Sequence, residues 1–297
     1  MLTRRHALLL PFASVTVLPA APTSMKLCLH QTTSNAAGYR ASLEGYARAG
    51  IQFVEVIPPH VDEFVKKEGM PAARRLLHDL GLTAVSSGGV SGLWEPSPAR
   101  AKALEELKWK AAMIAELGVD RMVCPCNTHE RFKADDYRAA LDHIREAGEI
   151  AKQFHLTLMV EFMRGSTFIG TLPTALKLTR EAAHPNVKAM FDCYHFWAGL
   201  SKFEDLDLIR AGEIHHVHFQ DVPDIPRELL DGGTREIPGD GISPLSRILK
   251  KLSEKGYNGP LSVELFYPRF QNGDPFEVAR EIRGKSEVVM RAAGVLA

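Results

Sequence analysis

Short apolar runs recur along the chain from Met25 onward, and each is followed by a longer stretch with mixed polar and apolar positions. The runs are KLCLH (26–30), FVEVI (53–57), TAVSS (83–87), RMVCP (121–125), LTLMVEF (156–162), VKAMFD (187–192), IHHVHF (214–219) and LSVELF (261–266). Apolar runs of this length predict eight buried strands. Between the third and fourth, Leu104, Leu107, Ala111, Ile114 and Leu117 share one helical face, and Gly118 supplies a stop. Before the eighth, Ser243 reads as an N-cap with Pro244 at the first helical position, and that helix is expected to close at Gly256. Strand then helix, eight times over, predicts an α/β fold of the (β/α)8 TIM-barrel type.

A doubly wound open sheet would alternate in the same way. Its glycine-rich phosphate turn is missing, because LHQTTSNAAG after the first run contains no GxGxxG. No low-complexity linker interrupts the alternation, so residues 25–297 read as one barrel domain. Residues 1–24 stand outside it. The pair Arg4 and Arg5, an apolar stretch from Ala7 to Leu18 broken by Pro11, and small residues and prolines around Ala20 to Pro22 predict an export signal of the twin-arginine type. Such a signal implies a periplasmic or secreted protein, and a cytoplasmic one if the segment is not a signal. Its apolar run is too short to span a bilayer, so no stable membrane insertion is expected.

Lys plus Arg and Asp plus Glu both total 36, giving a formal net charge of zero. That balance excludes the broad basic field of a nucleic-acid binder and favours a small neutral or polar substrate. Four cysteines, Cys28, Cys124, Cys126 and Cys193, are too sparse for a disulfide scaffold. The CPC at 124–126 reads as packed strand residues in preference to a metal or redox site.

In a barrel, the working residues sit at the carboxyl ends of the strands. Glu161, Asp192 and Glu264 fall at or near such ends, and the seventh run carries His216 and His218. A carboxylate closing an otherwise apolar run is costly to bury without a partner, and a shared cation removes that cost. Three carboxylates and one imidazole suit one divalent metal ion such as Mn, Mg, Co or Zn. With no thiolate in the set, a closed structural zinc site is disfavoured. Four protein ligands leave two positions of an octahedron for vicinal oxygens of a hydroxy-ketone.

Other residues carry two readings. His30 and Glu55, at the ends of the first and second runs, either enter the pocket or pair locally. His195, three residues after Asp192, either orients substrate or a ligand, or packs in its loop. Strict alternation puts His216 and His218 on one face and sends His215 towards the helices. The stretch Gln220 to Gly241 lacks an obvious element and is expected to form a lid. Its Gly239 and Gly241 offer backbone donors to an anion or simply supply turn geometry.

The Glu of VEF (161), the FDxxHF of the sixth run, VHxxD followed by TREIPGDG, and SVELFxP resemble the xylose-isomerase-like barrel family of sugar isomerases and epimerases over residues 25–294. The resemblance is strongest to its inosose (2-keto-myo-inositol) isomerase branch. It implies that Glu161, Asp192, His218 and Glu264 hold the metal, and that Glu161 and Glu264 also act as acid and base. Arg235 and His195 would contact substrate, with His30 and Glu55 as further candidates. The implied reaction is isomerisation or epimerisation of a keto-sugar or cyclitol by proton transfer through a metal-bound enediolate; a homo-oligomer stays open. Two departures bear on substrate: His30 and Gln31 stand where relatives carry Asn-Glu, and Tyr267 stands where they carry Arg.

Three rivals remain at this level. A lyase would let the same enediolate expel the aglycone of a 3-keto-glycoside. An apurinic-site endonuclease would need further histidines and a basic surface that the chain lacks. A carbohydrate-binding protein would keep the pocket without the chemistry.

Overall fold

Each apolar run forms a parallel strand in the computed structural model, which describes residues 24–296. Apart from Ser24, the expected export signal lies outside the described residues. The strands are β1 (Lys26–His30), β2 (Phe53–Val56), β3 (Thr83–Gly88), β4 (Arg121–Pro125), β5 (Thr157–Glu161), β6 (Val187–Asp192), β7 (Ile214–His218) and β8 (Pro260–Val263). They close into a barrel in sequence order, β1 pairing with β8. Around it lie α1 (Gly38–Arg48), α2 (Pro58–Glu68), α3 (Met70–Asp79), α4 (Arg100–Leu117), α5 (Ala134–Gln153), α6 (Leu172–Ala182), α7 (Cys193–Ala198), α8 (Leu245–Glu254), α9 (Pro268–Gln271) and α10 (Pro275–Ala292).

Two kinds of core follow from the pleat. Outward-facing Val54, Val56, Leu158, Val160, Phe191, Val217, Leu261 and Val263 are buried in the layer shared with the helices. Inside the barrel, Val123, Met159 and Met190 form a small apolar cluster, and Glu55, Ser86, His216 and Ser262 are also fully buried. A barrel interior this polar needs internal partners, and the site above uses it as a foundation. All four cysteines are free and buried; Cys28 and Cys124 are packed strand residues as expected, whereas Cys126 follows β4 and Cys193 opens α7. No helix among the described residues is long and apolar enough to cross a membrane.

Helix α4 buries Leu107, Ala111, Ile114 and Leu117 and ends at Gly118, whose φ of 94° is the left-handed cap that glycine adopts without strain. The start of α8 departs from expectation. Its N-cap is Pro244, not Ser243; the Ser243 hydroxyl accepts no helix N–H, and the Ser243 N–H donates to the Asp221 carboxylate at 2.9 Å.

Two bulges change which side chains share a face. Ala189 pairs with Ile214 and Phe191 with Val217, so His215 and His216 together oppose Met190. The extra residue breaks the alternation. His215 therefore does not turn towards the helices; it lines a cavity at the amino end of the barrel with Lys26, Val85 and Arg121. A matching irregularity pairs Val54 with Ala84 but Glu55 with Ser86.

The expected lid is irregular but pinned. Asp221 and Glu236 form an antiparallel bridge, and residues Arg227–Leu229 make a 3-10 turn. Arg164 donates to the carbonyls of Ala198 (3.3 Å), Arg227 (3.2 Å) and Leu230. The Asp221 carboxylate accepts from the N–H groups of Val222, Gly239 and Ser243 at 2.8, 3.0 and 2.9 Å. At Gly241 a Cβ would stand 2.2 Å from the Val222 carbonyl oxygen and 2.6 Å from Asp221 Oδ1. The Gly239 donor is therefore taken by the chain's own carboxylate, and Gly241 allows the close approach of Val222 and Asp221.

Candidate active site

At the carboxyl end of the barrel, alternation and strand termination bring one imidazole against three carboxylates. Glu161, Asp192 and His218 are the last residues of β5, β6 and β7, and Glu264 follows β8 by one position. His218 Nδ1 lies 3.3 Å from Glu161 Oε1, 3.4 Å from Asp192 Oδ2 and 3.5 Å from Glu264 Oε2. All four residues are buried or nearly so.

Beneath them, Glu55 decides the orientation of the imidazole. It is fully buried; one oxygen accepts from Ser86 Oγ (3.2 Å). The other receives His216 Nε2 at 2.8 Å and His218 Nε2 at 3.2 Å. A carboxylate only accepts, so both Nε2 atoms carry hydrogen, and a neutral His218 presents the Nδ1 lone pair to the carboxylates above. Glu55 thus stands behind the imidazole and away from the pocket. His216 is its second donor, one layer deeper.

Asp192 is the most heavily engaged carboxylate. It caps α7 by accepting from the His195 N–H at 2.6 Å, and Gln220 Nε2 donates to its other oxygen at 2.7 Å. Arg235, carried in by the lid, ion-pairs with Glu264 and lies 3.5 Å from Asp192. Its guanidinium is held near the rings of Tyr194 (5.3 Å) and Phe266 (4.8 Å). Arg235 Nη2 also lies 3.0 Å from His195 Nε2, while His195 Nδ1 accepts from the Arg164 N–H at 3.2 Å.

His30 completes the ring. Its Nδ1 accepts from the Thr32 N–H at 3.0 Å, so a neutral ring carries its hydrogen on Nε2, which points between Glu55 (3.7 Å) and Glu264 (3.6 Å). Its neighbour Gln31 turns away, spanning from Ser42 to the Ile57 N–H as a fully buried brace.

Charge crowding shifts these groups in opposite directions. Burial, with help from neighbouring Asp192 and Glu264, pushes the Glu161 carboxyl up to about 7 despite its contact with His218. Burial also opposes ionisation of Asp192, but His195, Arg235 and His218 hold it well below the carboxylate range. For His218, burial is overcome by Glu264, Glu55, Asp192 and Glu161, which hold its proton well above the usual imidazole range. His195 is pushed down to about 4, chiefly by burial.

The residues fit a divalent cation by the chemistry of the donor set. Glu161 Oε1 and His218 Nδ1 are buried with no hydrogen-bond partner among the described residues, despite lying within ion-pair distance. One donor atom from each of Glu161, Asp192 and His218 lies within 4.8 Å of the others, and His30, His218 and Glu264 make a second such group. A cavity of about 300 Å³ opens onto His30, Glu161, His218 and Glu264. Its wall is apolar on one side, with Ile57, Pro58, Pro59, Val123 and Pro125, and Lys110 reaches it from α4.

The sequence-family description xylose isomerase-like TIM barrel matches residues 43–285. The chain belongs to this family. Among its relatives is an inosose isomerase of Halalkalibacterium halodurans, 26% identical over 252 residues that cover 83% of this chain and 89% of that one. A 3-dehydroshikimate dehydratase of Pseudomonas putida is 26% identical over 243 residues, covering 77% of this chain and 36% of the longer relative. The crystal structure of the IolI protein with a bound zinc atom superposes with a TM-score of 0.84 over 90% of this chain and 99% of that one, at 21% identity.

Of the residues singled out in the sequence, Glu161, Asp192, His218, Glu264, His195, Arg235 and His30 gather at one end of this family barrel, and Glu55 lies directly beneath. Gln220 was overlooked. Its signal was its position two residues beyond His218, which continues the same face past the strand end. Lys110, Pro58 and Pro59 carried no such signal, because helices α4 and α2 bring them in, whereas Pro125 closes the fourth run itself.

Proposed function

We propose that the protein is a divalent-metal-dependent isomerase or epimerase acting on a keto-sugar or cyclitol, by moving a proton at the carbon next to a carbonyl. The observation that carries this reading is the convergence of Glu161, Asp192 and Glu264 on His218 Nδ1, with Glu55 holding the opposite nitrogen. Inosose isomerase relatives covering most of both chains support the substrate class, and the zinc-bearing neighbour supports the metal.

Glu161, Asp192, His218 and Glu264 would hold the ion, whose role when bound is to polarise the substrate's carbonyl and adjacent hydroxyl oxygens. The remaining work falls to the chain. Glu161 and Glu264 face the cavity and transfer the carbon-bound proton. His30 Nε2 reaches the cavity, and Arg235, with His195 Nε2 against its guanidinium, would meet the substrate's oxygens. The lid carries Arg235 and shields the site from water.

Incubation of metal-loaded protein in D₂O with inosose and simple ketoses tests the reading. Deuterium appearing next to the carbonyl supports it, and neither exchange nor product with any keto substrate overturns it.

A second reading is elimination of a group β to the carbonyl, including release of the aglycone from a 3-keto-glycoside. It begins with the same proton abstraction. The dehydratase relatives favour it, as does His30 with its hydrogen on Nε2, a donor for a leaving oxygen. Product analysis separates the two, since only elimination yields an unsaturated ketone and a free leaving group.

A further inference from the structure

We propose that the amino end of the barrel, opposite the carboxylate cluster, is a binding site for an oxyanion of the phosphate class, held by Lys26, Arg121, Arg210 and Lys255 around His215. In a chain with a formal net charge of zero, the cavity there is lined by these five basic side chains and by no Asp or Glu. Its volume is about 400 Å³, enough for a phosphate or a small phosphorylated molecule.

The cations differ in how far they are already satisfied. Arg121 is fixed in place: Nε donates to Asp120 at 2.8 Å and Nη1 to the His215 carbonyl at 2.9 Å. A guanidinium has five N–H groups, so this anchoring leaves donors for a ligand. Lys26 Nζ rests 5.0 Å from the centre of the Phe53 ring, and among the described residues neither Lys26 nor Arg210 forms a side-chain ion pair. Lys255 is shared with Asp207, donating to its carbonyl at 2.8 Å. The nearby Glu213 is engaged by Arg180 at 2.6 Å and by the Arg210 N–H at 2.8 Å.

The β7 bulge supplies the second observation, because it places the half-buried His215 among like charges. Burial lowers its proton affinity first, and Arg121, then Lys188, lower it further, with Asp120 opposing. Burial apart, the positive charges of Arg121 and Lys188 beside the ring are what an anion in the cavity would offset. Phosphate meets them better than a carboxylate does, since three or four oxygens can engage cations on several sides of one cavity. Nothing in this argument involves the carboxylate cluster, so it stands or falls separately from the proposed reaction.

Isothermal titration of the full chain with inorganic phosphate, at constant ionic strength set with chloride, tests the site. Glycerol phosphate in a parallel titration distinguishes a free-phosphate site from one for phosphorylated small molecules, and tighter binding of either supports the proposal. The wild type is expected to bind one phosphate saturably. Lys26→Met with Arg210→Met should weaken it at least tenfold while leaving thermal unfolding unchanged, and Arg235→Met at the other end should not affect it. The His215 ring resonances should move during the titration. Absence of saturable binding, or binding untouched by the Lys26 and Arg210 changes but lost with Arg235, would overturn the proposal.

Discussion

Glu264 and Glu55 are both carboxylates within reach of His218, yet their surroundings predict different failures when each is neutralised. Glu264 faces the cavity, so Glu264→Gln should slow deuterium exchange by on the order of 10³-fold, within the usual range for a positioned acid or base. Exchange at the wild-type rate would remove Glu264 from the reaction. Glu55 does not line the cavity; it meets Ser86, His216 and the inner edge of His218, with His30 Nε2 3.7 Å away. Glu55→Gln keeps its shape but loses the charge that attracts two N–H donors, and metal affinity should fall roughly 10–100-fold, as when the partner behind a ligating imidazole is changed. Competition with a chelator measures this. Unchanged affinity would show that His218 does not need Glu55 to hold its ring.

At the scale of elements, Asp221 ties the two ends of the lid together. Asp221 accepts three backbone N–H groups, from Val222, Gly239 and Ser243, and those donors have no other acceptor among the described residues. Asp221→Ala should destabilise the segment by about 1–3 kcal/mol for each donor left buried and unpaired. Because that segment delivers Arg235 to Glu264 and Asp192, the expected signature is faster proteolytic nicking within residues 223–240 together with a raised KM. Nicking and KM both at wild-type values would show that other contacts, such as those of Arg164, suffice.

The whole molecule should respond to metal and to pH. A cation that binds only the folded barrel stabilises it, by about 2.7 kcal/mol when present at 100 times its dissociation constant. Thermal unfolding should therefore shift upward with Mn²⁺ or Zn²⁺ and return after chelation; an unchanged midpoint would count against the site. Acid acts through the histidines. His215, lowered from 6.5 to about 4 mainly by burial and by Arg121, stays neutral in the folded chain while it protonates in the unfolded one. Between those two values the unfolded state binds the extra proton, so stability is present above pH 6.5 and is lost as pH falls towards 4. Urea unfolding at several pH values should show a shallower decline for His215→Asn than for the wild type. An identical slope would mean that the folded protein protonates His215 as readily as the unfolded chain does.

The order of apolar runs and amphipathic stretches determined the barrel, because burial on both faces of a parallel strand demands such runs and each crossover demands a helix. It also marked Glu161, Asp192, His218 and Glu264, since a charge that closes an apolar run has few places to point except the mouth of the barrel. What the sequence could not carry were choices made between distant segments. Glu55 turned beneath His218 because three strands meet there; its own neighbours in the chain say nothing of that. His215 is the second residue of β7 and so sits at its amino end; a single extra residue there breaks the alternation that would have turned it to the helix layer. Gly239 looked open to an anion until Asp221, 18 residues earlier, took its backbone donor. Periodicity reports which face a side chain occupies within one element, whereas partners across the barrel are set by packing, and only the tertiary structure decided them.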